Sequence, residues 1–460
     1  MLDAPARLHP PAPTPRLKPL GPLALLRVLA SNPLEAWTKA HFEKPIVMGG
    51  LSIGRVALVS DPAAIRRVLM DNNQNYHKDW LQQRVLSAGL TNGLLTAEGQ
   101  QWRTQRRALA PLFARRTVLS FSAAMIDAAA ALVERLRLRD GQIEDMAVEA
   151  TRLTLEVLER TMFSGGLGRS PEDIRVAMKH YFEAIGRLDP FDVLGLPNVV
   201  PRLSRWKVRP MLRLFESAID TIVSTRRRRI AEDPDGVPRD ILTLLLEARD
   251  PETGEGLSEV EVRANILTFI AAGHETTANS ITWSLFLLSQ SPEWRARVQA
   301  EADRELDGDI DGIAERLVET RAVIEEAMRL YPPLAAISRA ALAPDELAGE
   351  PIRRGTMVVI APYVLHRHRA LWADPDAFDP NRFLGGARER IDRFAYLPFG
   401  VGPRICIGAT FALQEASIVV ATVMRHFILE LAPGHAVWPV HRVTLRPSGG
   451  LPMIVRRRWQ

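Results

Sequence analysis

The chain has 460 residues, 47% of them hydrophobic and 25% charged, with a formal net charge of +5 and a single cysteine, Cys406. That length is enough for a large core, and the composition excludes a disordered, collagenous or disulfide-built protein. A sequence pI near 9.6 admits nucleic acid, a membrane surface or an acidic protein as partner; no nucleic-acid motif accompanies the charge, so an acidic protein is the partner class expected.

Residues 1–20 are proline-rich and are expected to be extended. They lack the basic start and apolar block of a signal peptide. The apolar stretch from Leu20 to Ala30 is interrupted by Gly21, Pro22 and Arg27 and is too short to cross a bilayer. No transmembrane anchor is expected, and the lone thiol suits a reducing, cytoplasmic setting. Two β-branched runs, Pro45–Met48 and Arg55–Val59, flank Gly49, Gly50 and Gly54 and predict a hairpin. Helical patterning then predicts helices near 62–70, 98–113, 118–137, 145–163, 171–187, 208–232, 238–247, 259–290, 292–305 and 312–330. Strand patterning returns near 335–342, 356–361, 441–446 and 452–455. No repeat or linker divides the chain, so residues 1–460 read as one mainly α domain with a small mixed β region.

The clearest element is the helix over 259–290. Ser258 and Glu261 form a capping box, and Ser291-Pro292 begins the next helix. At 1.5 Å per residue it would be roughly 48 Å long. It is apolar almost all round, as a helix at the centre of a large protein is. One turn breaks that pattern: Ala271-Ala-Gly-His-Glu-Thr-Thr277. Gly273 costs about 1 kcal/mol of helix stability relative to alanine, and Glu275, Thr276 and Thr277 are poor core residues. A local rule broken at one place marks a functional site. Small residues at Ala272 and Gly273 leave room for a flat cofactor, and Thr276 can bond back to the Ala272 carbonyl.

Cys406 lies in Phe399-Gly-Val-Gly-Pro-Arg-Ile-Cys-Ile-Gly408. Gly400, Gly402 and Gly408 permit positive φ, Pro403 stiffens the path, and Arg404 places a cation two residues before the sulfur. A helix follows Gly408, so the sulfur lies near its N-terminus, where a thiolate is favoured. Such a thiolate is a soft axial ligand for haem iron. The alternatives are a buried small hydrophobe or a nucleophile whose histidine partner the sequence does not identify.

The run fits F-x-x-G-x-R-x-C-x-G, and through it the chain resembles the cytochrome P-450 superfamily, the haem-thiolate monooxygenases, in its soluble bacterial form without a fused reductase. Four more motifs follow the family order: Trp102-x-x-x-Arg106, the A-G-x-(D/E)-T-T pattern over 272–277, Glu326-x-x-Arg329, and Pro380-x-Arg382-Phe383. The resemblance implies a mainly α fold with a long central helix, and Cys406 as axial ligand of haem b. It implies that Thr276 and Glu275 serve dioxygen activation and proton relay. It implies a structural triad of Glu326, Arg329 and Arg382 beneath the haem. Cofactor contacts are expected from Trp102, Arg106, Arg339, Arg404, Phe399, Gly400, Gly408 and Ala272, with His77 a further candidate. The apolar substrate pocket is expected from Thr268, Phe269, Ala271, Leu334, Ala335, Ala336, Ile337 and Leu451, with the loop from Trp80 to Leu95 as a wall and Leu188–Pro201 as an entrance loop.

No flavin, nicotinamide or iron–sulfur motif is present. Reducing equivalents from NAD(P)H are therefore expected through a separate reductase and an acidic ferredoxin or flavodoxin. Arg103, Arg107, Arg115, Arg116 and Arg425 form the expected docking face of a monomer. A peroxide-driven peroxygenase on the same fold is the alternative, and the Glu275–Thr276 pair counts against it. A non-catalytic haem sensor is the second alternative.

Overall fold

The computed structural model describes residues 7–51, 54–86, 92–164 and 203–458. The helix expected over 171–187 and the entrance loop at 188–201 lie outside the described residues, as does part of the wall from Trp80 to Leu95.

The central helix spans Glu259–Gln290, the bounds its sequence signals predict. Ser258 Oγ accepts from the Glu261 amide at 3.3 Å, and Glu261 Oε2 accepts from the Ser258 amide at 3.0 Å. Every residue from Ala278 to Leu288 is buried. The helix packs most extensively on three others: Met146–Met162, Val318–Leu330 and Ala409–His426. Fully burying a Leu, Ile or Phe side chain contributes roughly 1.5–3 kcal/mol, so this four-helix contact carries much of the core. Trp283 stacks on Tyr331 with ring centroids 3.8 Å apart. The Tyr331 hydroxyl donates to the Pro11 carbonyl at 2.8 Å, which ties the proline-rich N-terminal segment to the core.

Gly273 faces the Met146–Met162 helix. A methyl group at that position would meet Leu158 Cδ2 at 3.4 Å. That is an ordinary contact, so the helix packing does not require a glycine there; Ala272 beside it is exposed.

The stretch Arg115–Arg137 is long and apolar enough to cross a membrane by composition alone. Here Met125, Ala128, Ala129, Leu132, Val133 and Leu136 are buried in the main core, where the segment Ser122–Arg137 packs on the Ala409–His426 helix.

The main sheet runs Ile46–Leu51, Gly54–Val59, Met357–Ile360, Ile337–Ala341, Tyr76–His77. Only Gly54–Val59 and Met357–Ile360 are parallel, with Val56 opposite Met357. The expected hairpin forms, with Ile46 opposite Val59. A second sheet joins Ile143–Asp145, Pro452–Arg457 and Phe427–Leu431.

Some boundaries differ from expectation. The helix expected over 312–330 is interrupted at Leu317, whose ψ of 63° leaves the helical region and whose side chain is fully buried. The segment 441–446 is not one strand: Pro439–His441 and Leu445–Pro447 pair as a tight antiparallel turn. The strand Phe427–Leu431 follows a helix with no glycine or proline between them, so no local punctuation marks it.

Candidate active site

Glu326 and Arg329 form an ion pair in which neither side chain has exposed surface. Arg329 Nε and Nη2 donate to the two Glu326 oxygens at 2.6 and 2.8 Å. The remaining donors reach the carbonyls of His366 (2.8 Å), Pro375 (2.7 Å) and Ala377 (2.8 Å). All five guanidinium hydrogens are used, which is the condition under which a buried charge is tolerated. Arg382 joins more loosely. Its Nε lies 3.6 Å from Glu326 Oε1 and has no hydrogen-bond partner, while Nη2 donates to the Asp374 carbonyl at 2.9 Å.

A chain of bonds connects this pair to the cysteine loop. His366, whose carbonyl Arg329 grips, accepts the Leu397 amide on Nε2 at 2.8 Å. Gly400 N–H donates to the Leu397 carbonyl at 3.2 Å, and Cys406 N–H to the Phe399 carbonyl at 2.9 Å. His366 is fully buried, and burial with the Arg329 charge beside it lowers its pKa to about 3. It is a neutral acceptor that positions the loop leading to the sulfur.

Gly400 and Gly402 have φ of 71° and 78°, the left-handed region. A side chain on Gly402 would also collide with the Leu69 carbonyl oxygen. Gly408 differs from expectation: its φ is −90°, so it caps the Ala409–His426 helix without a positive φ. A methyl group there would meet open space. The Cys406 side is exposed, as is neighbouring Ile405. Protein crowds the thiol on its other sides, and that burial pushes its pKa up; the Gly408 amide and the Arg106 charge oppose the shift. The cation acting on the sulfur is thus Arg106, not Arg404. Arg404 is committed elsewhere: Nη2 donates to Glu98 at 2.5 Å, Nη1 to the Ala97 carbonyl at 3.2 Å, and its guanidinium lies 4.3 Å over the Trp102 ring.

Trp102, Arg339, Arg404, His77 and Glu98 line one cleft of about 260 Å³. Lys78 lies beside Glu98, with Nζ 3.4 Å from Oε1. Burial, then the Arg404 charge, brings the Lys78 pKa down to about 8. Burial and Arg404 likewise bring Arg339 to about 10. The cations Lys78, Arg339 and Arg404 outnumber the nearby carboxylates Glu98 and Asp79. The excess of one positive charge suits an anionic group such as a carboxylate. An accessible thiol flanked by the bare Gly408 and a cationic cleft fit haem b: Cys406 would ligate the iron, and the cleft would take the propionates.

On the central helix, Thr276 Oγ1 donates back to the Ala272 carbonyl at 2.7 Å. Ala272 is exposed, while Ala271 beside it is buried. Glu275 Oε1 accepts from the Thr444 hydroxyl at 2.7 Å. Its Oε2 is buried without a partner. Burial raises the Glu275 pKa against the opposing Thr444 bond and Arg446 charge, so the carboxyl keeps its proton above the usual carboxylate range. His274 points away from this site: Nδ1 bonds the Ile270 carbonyl at 2.8 Å and burial lowers its pKa to about 4.

The expected substrate wall divides. Leu334 is 45% exposed, and Ala336 and Ile337 present partial surface. Phe269, Ala271, Ala335 and Leu451 are packed in the main core, Phe269 edge-on to Phe113 at 5.1 Å. Of these, Phe269, Ala271 and Ala335 keep a small exposed fraction, and Leu451 has none. Thr268 is capped by the 92–97 loop, where a methyl group on Gly93 would lie 2.5 Å from Thr268 Oγ1. That loop is fastened by Leu94 N–H to Asn265 Oδ1 at 2.8 Å and Gln105 Nε2 to the Asn92 carbonyl at 2.8 Å.

The expected docking arginines also divide. Arg107 pairs with Asp250 at 2.5 Å, Arg115 with Glu315 at 2.7 Å and Arg425 with Asp307 at 2.6 Å. Arg103 and Arg116 are exposed. His366, Thr444, Lys78 and Glu98 were not expected at the site. Their partners are remote in sequence, and no local pattern distinguishes them from ordinary surface or loop residues.

Comparison with known proteins agrees with this arrangement. The cytochrome P-450 family model matches residues 10–451. The chain is 31% identical to a cyclooctat-9-en-7-ol 5-monooxygenase of Streptomyces melanosporofaciens, over 94% of this chain and 91% of that one. It is 29% identical to a cytokinin hydroxylase of Arabidopsis thaliana, over 92% and 82% of the two chains. A solved crystal structure of a cytochrome P-450 superposes with a TM-score of 0.82 at 26% identity, covering 98% of this chain and 100% of that one. The chain belongs to the cytochrome P-450 family, and it is an oxygen-inserting oxidoreductase.

Proposed function

We propose that this enzyme uses externally supplied electrons to activate dioxygen and hydroxylates or epoxidises an apolar small molecule. The observation that carries the reading is the Glu275–Thr276 pair. It stands on a turn of the central helix where Ala272 is exposed between buried flanks. Bound haem supplies the redox chemistry at the Cys406 side. Thr276 contributes a hydroxyl whose proton is directed at the Ala272 carbonyl and can be redirected to a ligand. Glu275 contributes a carboxyl whose pKa burial raises above the ordinary range, so that it holds its proton more readily than an exposed carboxyl and can deliver it. The surface of Leu334, Ala336 and Ile337 supports an apolar substrate. One relative is named for a cyclic alkenol, which favours the same class. Arg103 and Arg116 remain as cations for an acidic ferredoxin or flavodoxin that carries electrons from NAD(P)H. The lone thiol suits a cytoplasmic enzyme.

Two measurements test this. Reduced, carbon monoxide-bound protein should show the red-shifted Soret band of thiolate ligation, and Cys406→Ala should abolish it. With a surrogate ferredoxin and reductase, Thr276→Ala should divert electrons from product to peroxide. A positioned proton-transfer group is worth on the order of 10²–10⁴ in rate. Unchanged coupling in that variant would remove Thr276 from proton delivery.

A further inference from the structure

We propose that Thr444 is a positioning residue for Glu275: its hydroxyl fixes Oε1 of the carboxyl and leaves Oε2 as the oxygen that exchanges the proton. This rests on the proton-delivery role of Glu275 proposed above.

The geometry is a directed chain. Asn279 Nδ2 donates to Thr444 Oγ1 at 3.0 Å, and Thr444 Oγ1 donates to Glu275 Oε1 at 2.7 Å. An amide nitrogen only donates, so the threonine oxygen uses a lone pair toward Asn279 and its single proton is left for Glu275. Asn279 lies one helical turn after Glu275 on the same helix, so one rigid element carries both ends of the chain. Thr444 is buried and comes from a different element, the turn between Pro439–His441 and Leu445–Pro447.

That turn is fastened on several sides. Leu445 N–H donates to the Pro333 carbonyl at 3.0 Å, and the Trp283 indole N–H donates to the Leu445 carbonyl at 3.2 Å. Asn32 donates to the Pro439 carbonyl at 3.0 Å and accepts the His441 amide at 3.2 Å. A hydroxyl on so constrained a turn cannot follow the carboxyl if the carboxyl swings. It therefore selects one rotamer of Glu275.

Oε2 is buried and unpartnered. An unmet polar atom in such a place is costly and is expected where a group must remain free to exchange a proton. The charged side chain acting on Glu275 is Arg446, two residues beyond Thr444; it and the Thr444 bond favour the ionised form, against burial. Thr444 keeps its own proton throughout; it orients the acid and does not carry the proton.

The test uses the holoenzyme and reads the Glu275 carboxyl by infrared difference spectroscopy, its C=O band assigned by its loss in Glu275→Gln. Thr444→Val preserves shape and removes the hydroxyl. It should move the band to higher frequency and its titration midpoint to higher pH, because a bond favouring the anion is lost. Thr444→Ser should restore both. In turnover, Thr444→Val should raise peroxide release per NAD(P)H severalfold, and Thr444→Ser should return it to the parent level. An unchanged band and midpoint in Thr444→Val would overturn the positioning role, and so would a Thr444→Ser variant that behaves as Thr444→Val. If the band responds as expected but Glu275→Gln leaves coupling intact, the proton-delivery reading fails while the Thr444–Glu275 contact stands.

Discussion

The two sides of the expected haem position are built in opposite ways. Behind the cysteine, Arg329 uses every donor it has, and the bonds continue through His366 and Leu397 to the loop. Above it, the central helix carries an orphaned Glu275 Oε2, a threonine bonded to its own backbone and an open Ala272. The first side is saturated and rigid, as suits a ligand that must not move. The second holds groups with unused capacity, as suits residues that must change partners. Substitutions on the first side should therefore act on folding and the ligand, and those on the second on proton handling.

The largest effect is expected on the saturated side. Arg329→Ala would leave Glu326 as an uncompensated buried charge, at a cost of about 3–5 kcal/mol. Loss of soluble folded protein or a collapse in Tm would check it. Arg329→Lys should be nearly as damaging, since an ammonium cannot reach five acceptors. If Arg329→Ala matches the parent in Tm, the contrast between the two sides is wrong. Gly402→Ala comes next, because the new side chain meets Leu69 backbone at a φ of 78°. It should lower haem retention, read as the Soret-to-protein absorbance ratio after gel filtration.

His366 and His274 give the comparison a pH axis. Their folded pKa values of about 3 and about 4 lie below the ordinary 6.5. Between those values and 6.5 the unfolded chain binds protons that the folded chain refuses. Stability therefore falls as pH drops through that window and recovers above it. Tm measured from neutral to acid pH should decline, and His366→Gln should start lower yet decline less steeply. An equal slope in that variant would remove His366 as a source. The smallest effect is expected at Gly273. Gly273→Ala gains up to about 1 kcal/mol of helix propensity, and its methyl meets Leu158 at an ordinary 3.4 Å. A slightly raised Tm with an unchanged carbon monoxide spectrum would show that neither the packing nor the cofactor requires this glycine.

The long helix and its cap are legible in sequence because their determinants are contiguous: a capping box, an apolar run and a terminal Ser-Pro. The Glu326–Arg329 pair is legible as an i,i+3 spacing within one helix. Spacing misleads where partners compete. Arg404 stands two residues from the cysteine, yet Glu98 and Trp102 draw its guanidinium away, and Arg106 supplies the charge the sulfur feels. Likewise Leu451 matches the apolar chemistry of a pocket wall, but packing leaves it no exposed surface.

What the sequence by itself determined was the set of chemical groups and the short segments that carry them, because each motif spans a turn or a loop whose geometry is local. The tertiary structure alone decided their partners. Thr444 reaches Glu275 across 169 positions and Arg404 reaches Glu98 across 306. Such contacts depend on how helices and turns pack, and packing is a sum over many side chains that no single spacing encodes.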